Sequence, residues 1–256
     1  MNWADLRSPQ IDALDREMVV VIPLGSIEQH GAHLPLVTDT LLVSELADRV
    51  EEELRREILV LPTLWLGASA HHSDFAGTLS LSGRLYSQVI TELARSVLRA
   101  GFRRLFFLCG HGGNEVPTQQ ALADLAAESE EADSALLAAA CYWRLADAAL
   151  RPEQHGLRQT ALSHACEFET SMVLSLEPGL VSMRDAGAPP PAFLSRWWNS
   201  ETGGPVHVFR RFRRLTAGGA MGLPLEATPA KGSSLLEAAT SELVAFLRDY
   251  ARLPRL

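Results

Sequence analysis

Residues 25–40 bring Glu28, His30, His33 and Asp39 into one turn-rich stretch, Gly-Ser-Ile-Glu-Gln-His-Gly-Ala-His-Leu-Pro-Leu-Val-Thr-Asp-Thr, directly after an apolar run at 18–24. Carboxylate oxygens and imidazole nitrogens are the donors that zinc, manganese or iron accept, and a loop leaving a buried strand can fold them around one point. Glu28 and His30 are two apart, so a regular strand would point both to one face, and a loop can close them on neighbouring coordination positions. By itself the Glu-x-His triplet also fits a solvated loop with a chance histidine. Asp39 stands just before a predicted helix, where an N-cap aspartate is expected. Its two oxygens can equally bridge two cations. The stretch supplies half of a metal site, and the other half must come from elsewhere in the chain.

Two later clusters offer it. Gly110-His111-Gly112-Gly113-Asn114 falls at a predicted strand-to-helix turn. Its glycines permit close backbone approach, which suits an anion-binding nest and also frees His111 to reach a metal. The third cluster, His164-Ala165-Cys166-Glu167-Phe168-Glu169, holds one imidazole and two carboxylates. Residues two apart on a helix do not share a face, so only one of Glu167 and Glu169 is expected in a common site. Hydrolysis at such a site needs water of lowered pKa, a Lewis acid and a proton donor for the leaving group. Two metals sharing Asp39 would generate a bridging hydroxide, and His164 could move the proton.

These clusters must be positioned by the elements between them. The runs 18–24, 58–64, 104–109 and 135–141 read as strands, apolar throughout. Helices are expected at 41–56, with an apolar stripe of Leu42, Leu46, Val50 and Leu54, and at 86–100, with Val89, Leu93 and Val97 inward and Gly101 as a C-cap glycine. Further helices are expected at 116–129, 168–176 and 233–250. Apolar strands alternating with helices of this length predict an α/β fold, three-layered, with a mainly parallel central sheet covered on both faces. Ligands of such sheets bind beyond the carboxyl ends of the strands. The polar clusters at 28–39, 69–74 and 111–114 all fall there, so three loops converge on one rim. The proline- and tryptophan-rich segment 186–202 reads as a substrate-covering loop or an oligomer contact.

The 256 residues are read as a single domain, 1–256, with an apolar fraction of 47% and a charged fraction of 21% that suit a globular enzyme. A net charge of −8 argues against nucleic-acid partners, which need a basic surface. The one basic run, Arg210-Arg211-Phe212-Arg213-Arg214, is expected on a solvated or subunit-contacting face. Cys109, Cys141 and Cys166 are odd in number and lack metal-type spacing, so a reducing, cytoplasmic setting is expected. No leader-like segment or membrane span is read in the sequence. Ser26 is outside a Gly-x-Ser-x-Gly elbow, which argues against a serine hydrolase. Cys109 and Cys166 read as buried inert thiols. Nucleotide-binding glycine patterns are absent.

Taken in order, Glu28-Gln29-His30-Gly31 with His33 and Asp39, then Ser69, His72, Phe75, Gly77 and Thr78, then the His111-Gly-Gly-Asn114 turn, then His164 with Phe168-Glu169-Thr170-Ser171, resemble the creatininase (creatinine amidohydrolase) family over about two-thirds of the chain. The resemblance implies a compact α/β amidohydrolase with two divalent ions per subunit, zinc with manganese or iron as alternatives. It acts on non-peptide or cyclic C–N bonds of a small molecule, as a homo-oligomer, commonly a hexamer. It makes Glu28, His30, Asp39 and His111 metal ligands, with Asp39 as the bridge, Glu169 the remaining ligand and His164 the catalytic histidine. His72, Asn114 and Trp143 are expected to contact substrate. The chain departs from creatininase itself at Gly112 and Gly113, where that enzyme has a tyrosine and a ligand glutamate, and at Thr160 and Ser163. The glycine form is closer to family branches that deformylate a formamidopyrimidine or cleave a short modified peptide. A non-catalytic small-molecule binding or scaffold protein on the same fold is the alternative from another class; a metallo-phosphoesterase would want basic residues that the motif loops lack.

Overall fold

The computed structural model describes residues 1–188, 195–199 and 205–255. Four strands, β1 (Val19–Leu24), β2 (Ile58–Val60), β3 (Arg104–Cys109) and β4 (Leu136–Cys141), form one sheet in the order β2-β1-β3-β4, parallel throughout. Helix α1 (Thr38–Leu54) connects β1 to β2, α2 (Gly83–Arg99) connects β2 to β3, and α3 (Gly112–Glu128) leads from β3 towards β4. Helices α4 (Glu167–Leu176) and α5 (Pro229–Tyr250) follow and pack on each other.

The period-two geometry of the strands divides the core into two layers. Val19, Val21, Phe106 and Leu108 face one side, packed with residues of α1, α4 and α5. Val20, Ile22, Leu24, Leu105, Phe107 and Cys109 face the other, with residues of α2 and α3. Both faces being covered is why these strands are apolar without alternation. Each fully buried aliphatic or aromatic side chain contributes ~1.5–3 kcal/mol of transfer free energy. The chain travels from β1 to β2 in one direction and from β2 past β1 to β3 and β4 in the other. A constant crossover hand then puts α1 and the pair α2, α3 on opposite faces, and the strand order reverses direction between β1 and β3.

Several element ends differ from the expectation. β2 stops at Val60 because Pro62 has no N–H to continue the ladder, and the chain rejoins β1 only at a Leu24–Leu64 bridge. Helix α1 starts at Thr38, so Asp39 lies inside its first turn, after an N-cap at Val37. α3 starts at Gly112, four residues early, with His111 as N-cap. α5 starts at Pro229, where Thr228 caps the Lys231 N–H and proline suits the first helical position. The buried stripe of α2 is Tyr86, Ile90, Ala94 and Val97, one residue round from the expected Val89 and Leu93, which flank it. The three cysteines are buried and free. Of segment 186–202, residues 189–194 and 200–202 lie outside the described residues. Among the described residues no helix is long and apolar enough to cross a membrane.

Candidate metal centre

Glu28, His30, Asp39, His111 and Glu169 converge at the carboxyl edge of the sheet, where the β1 and β3 loops meet the amino ends of α1 and α4. Close backbone approach makes this possible. A Cβ on Gly110 would lie 2.6 Å from Val43 Cβ and 3.0 Å from the Asp39 carbonyl oxygen, so only glycine lets the β3 loop rest on the first turn of α1. Asn114 then ties the loops together: its Oδ1 accepts the Ala68 N–H at 2.9 Å and its Nδ2 donates to the Gly25 carbonyl at 2.9 Å.

Asp39 presents its two oxygens to two different imidazoles. Oδ1 is 3.1 Å from His30 Nε2, and Oδ2 is 3.1 Å from His111 Nδ1. Glu28 Oε2 is 3.3 Å from the same His111 nitrogen, and Glu169 Oε1 is 4.0 Å from His30 Nε2. Two donor groups result, His30 with Asp39 and Glu169, and His111 with Glu28 and Asp39, which share Asp39. The far nitrogens of both imidazoles are already held. His30 Nδ1–H donates to the Glu28 carbonyl at 3.2 Å, and His111 Nε2–H donates to Ser69 Oγ at 3.2 Å. Such outer contacts fix the tautomer and leave the inner nitrogen free to ligate.

Glu28 Oε2, His30 Nε2 and Asp39 Oδ2 are buried without a hydrogen-bond partner. Buried carboxylates without partners are costly, and here all three orphaned atoms belong to the two donor groups, which fits divalent cations. Protons take the cation's part otherwise: burial disfavours a charge on His30, but Asp39, Glu169 and Glu28 outweigh it and raise its pKa to about 10. Burial, with Asp39 and Glu28 adding to it against the pull of His30, pushes Glu169 up to about 7. Asp39 is held well below the carboxylate range by His30 and His111 in spite of burial.

The other predicted residues separate into two groups. His164 belongs to the site: its Nε2 lies 2.8 Å from the Gln29 carbonyl and 2.9 Å from the Gln29 side-chain Nε2, and its Nδ1 turns towards Glu28 Oε1, 3.7 Å away. Burial and the neighbouring His30 keep its pKa well below the usual imidazole value. The turn that presents it is strained, since Ala165 has φ +51°, a region costing L-residues ~1–2 kcal/mol. The Ala165 N–H bond to Glu169 Oε2 at 2.6 Å and the Met221 N–H bond to the His164 carbonyl at 2.8 Å hold it. His72 accepts from Gln29 Nε2 at Nδ1 (2.7 Å) and brings Nε2 within 3.4 Å of Glu28 Oε1. His72, Trp143 and His164 line a cavity of about 250 Å³ that opens onto the donor groups. Asn114 does not line it, being fully buried with its amide engaged by backbone on both sides.

Glu167 and Glu169 diverge as helical geometry requires. Glu167 turns away to accept the N–H groups of Arg158 and Gln159 and the Lys231 ammonium. The four arginines of the basic run are exposed, as a solvated face requires, while the phenylalanine within the run is buried. Arg211 pairs with Asp74 at 2.9 Å, Arg213 lies 4.3 Å over Phe75, and Phe212 between them turns inward, with its ring centroid 4.2 Å from that of His72 and 4.6 Å from that of His164. Four cavity residues were not singled out from the sequence: His71, Leu162, Phe212 and Met221. His71 carried a signal, lying within the polar cluster 69–74; Phe212 and Met221 carried none, because nothing local distinguishes an aromatic or a methionine in a loop from one that packs.

A family model described as creatinine amidohydrolase matches residues 4–247. A mycofactocin precursor peptide peptidase of Mycobacterium tuberculosis is 40% identical over 121 residues, 44% of this chain and 48% of that protein, so the match spans about half of that relative's length. A creatinine amidohydrolase of Pseudomonas putida is 29% identical over 250 residues, covering 91% of this chain and 90% of that protein. Solved creatininase structures superpose over nearly the full length; a form described as "Creatininase Mn" has a TM-score of 0.83 at 26% identity, covering 98% of this chain and 99% of that one. A creatininase variant described as "Zn-Zn type" gives the same score and identity, covering 98% of each chain. With a family model spanning nearly all of its residues and the same parallel α/β architecture, the chain belongs to the creatininase family, in the branch that carries His-Gly-Gly-Asn rather than as creatininase itself.

Proposed function

We propose that the protein is a metal-dependent amidohydrolase that cleaves a non-peptide or cyclic C–N bond, in an amide, amidine or formamide, of a small molecule. The observation that carries this reading is the pair of buried donor groups sharing Asp39, with orphaned donor atoms in both groups beside a cavity. Glu28, His30, Asp39, His111 and Glu169 would hold two divalent ions; zinc, or manganese or iron in its place, suits the mixed oxygen and nitrogen donors, and the zinc and manganese forms of solved relatives support this choice. Such ions supply Lewis acidity towards the substrate carbon and lower the pKa of water.

The chain's own groups complete the chemistry. In the tautomer that donates Nε2–H to the Gln29 carbonyl, His164 would accept a proton at Nδ1 on the cavity side and return it to the leaving nitrogen. Burial keeps that imidazole neutral and able to accept. Trp143 and His72 wall the cavity and contact substrate, and Phe212 packs over His72 and His164 to limit water. A homo-oligomer, hexameric as the family resemblance implies, is part of the proposal; Trp197 and Phe209, 53% and 93% exposed, are candidates for burial in it.

The second reading is hydrolysis of a short modified peptide, favoured by the 40% identity to the mycofactocin precursor peptidase. Elemental analysis followed by turnover assays against lactams, cyclic ureides, formamides and short peptides separates the readings. Cleavage of the small amides with stoichiometric metal is the expected result. Cleavage confined to peptides moves the assignment to the second reading, tight ligand binding without product moves it to a scaffold protein, and a preparation that neither contains nor takes up divalent metal overturns it.

A further inference from the structure

We propose that His71 is a metal ligand, closing with Glu28 and His111 one of the two ion sites on the side where position 113 carries no side chain. This rests on the metal-centre reading above and adds a residue that the reading does not use. His71 lies in the short turn Ala70–His72 after β2, its ring nearly parallel to that of His111, with centroids 5.6 Å apart and planes 16° from each other. One nitrogen of His71, one of His111 and one oxygen of Glu28 all lie within 4.8 Å of one another. Metal–ligand bonds of ~2.0–2.2 Å place donors ~3.5 Å apart around a tetrahedral ion, so closure by about an ångström brings this set onto one ion.

Two further observations single out His71. Among the described residues neither of its ring nitrogens has a hydrogen-bond partner, whereas the surrounding imidazoles are each anchored: His30 on the Glu28 carbonyl, His33 on Thr170, His72 on Gln29, His111 on Ser69 and His164 on Gln29. His71 is thus the one cavity imidazole with both nitrogens available. The second observation is steric. A Cβ at Gly113 would overlap the Ala68 carbonyl oxygen and His111 Nε2, and would lie 2.9 Å from His71 Cε1. The loop after β2 therefore fills the space beside His111 that a side chain at 113 would need, and the group it places there is an imidazole.

The test uses the full-length protein stripped of metal and titrated with Co²⁺, read by elemental analysis and by the visible ligand-field spectrum. His71→Phe keeps the ring and removes the donor; His71→Glu restores a donor of another kind. Wild type is expected to take two ions per chain. His71→Phe is expected to hold one of them at least ~10-fold more weakly, as loss of contacts around a metal commonly does, with a changed spectrum for that ion, and His71→Glu is expected to regain two-ion stoichiometry. Matching metal-free melting curves show that the variants are folded, and His71→Gln replaces the phenylalanine variant if that one does not fold. Two ions bound by His71→Phe with wild-type affinity and spectrum overturn the inference and leave the metal centre standing. Wild type that binds no Co²⁺ overturns the metal centre itself.

Discussion

Glu167 and the Glu28 and Asp39 pair face the same physical problem, a carboxylate removed from water, and the molecule answers it in opposite ways. Glu167 is completely buried, yet its oxygens accept two backbone N–H groups at 2.9 and 2.7 Å and the Lys231 ammonium at 2.7 Å. Its charge is balanced within the chain, and it pins α4 against the start of α5. Glu28 and Asp39 are equally removed from water, and among the described residues their ion-pair neighbours are imidazoles alone, with one oxygen of each unpartnered. A fold that can supply a lysine to one buried carboxylate and supplies none to the others has left room for a cation from outside. The two glutamates of α4, Glu167 and Glu169, lie on either side of this division although they are two residues apart.

The largest test of that contrast is Asp39→Ala. Removing the carboxylate proposed as the shared ligand is expected to abolish binding of at least one ion and to lower turnover ~1,000-fold, ~4 kcal/mol of transition-state stabilisation. The melting temperature of the metal-free protein should fall only modestly, because His30 and His111, which balance Asp39 without metal, can shed their protons when it is gone. Elemental analysis, steady-state kinetics and calorimetry read the three quantities. Lys231→Met should do the reverse: it strands the Glu167 charge and costs ~3 kcal/mol in denaturant unfolding, with metal content per folded chain unchanged. If Asp39→Ala destabilised the metal-free protein more than Lys231→Met did, the contrast would be wrong.

Smaller effects sharpen it. Asn114→Ala leaves the Ala68 N–H and the Gly25 carbonyl unsatisfied and should cost ~2 kcal/mol. Metal affinity should weaken only through loosening of the β1 and β3 loops, so a larger loss of stability than of affinity in a paired titration is the expected pattern. The smallest effect concerns pH. Burial, and then the charge of His30, lowers the His33 pKa from 6.5 to about 4. A histidine whose folded pKa is depressed binds its proton later than the unfolded chain does, so its contribution is present above pH 6.5 and lost as pH falls towards 4. Denaturant midpoints of the metal-free protein at pH 7 and pH 5 should fall more for wild type than for His33→Asn; equal falls would remove His33 from the account.

Much of the fold was legible from local pattern. The apolar runs at 18–24, 104–109 and 135–141 became strands within a residue because nothing interrupts them, and their lack of alternation announced a sheet covered on both faces. The run at 58–64 was cut short at Val60, before Pro62. The stripe of α2 was misplaced because Val89, Leu93 and Val97 and Tyr86, Ile90, Ala94 and Val97 satisfy helical spacing equally well, and only the neighbouring strands decide which is buried. In the site, Glu28, His30, Asp39 and His111 were marked by residue type and spacing, and Glu169 was chosen over Glu167 only through the family resemblance. Asn114 was misassigned because an amide that bridges two backbone groups and one that contacts substrate look alike in a motif. Phe212 was hidden inside a basic run whose arginines are exposed as expected, with Arg211 and Arg213 also reaching Asp74 and Phe75.

The sequence alone determined which chemistry was available and where along the chain it sat, because donor types, strand runs and turn residues are local properties. It also determined that only one of Glu167 and Glu169 would enter the site, since helical periodicity separates them. Tertiary structure decided which one, because the choice depends on where Lys231 lies, 64 residues from Glu167. It decided as well that Asp39 faces two imidazoles and that His71 stands where position 113 is bare. Those are distances between loops of different strands, and no local rule contains them.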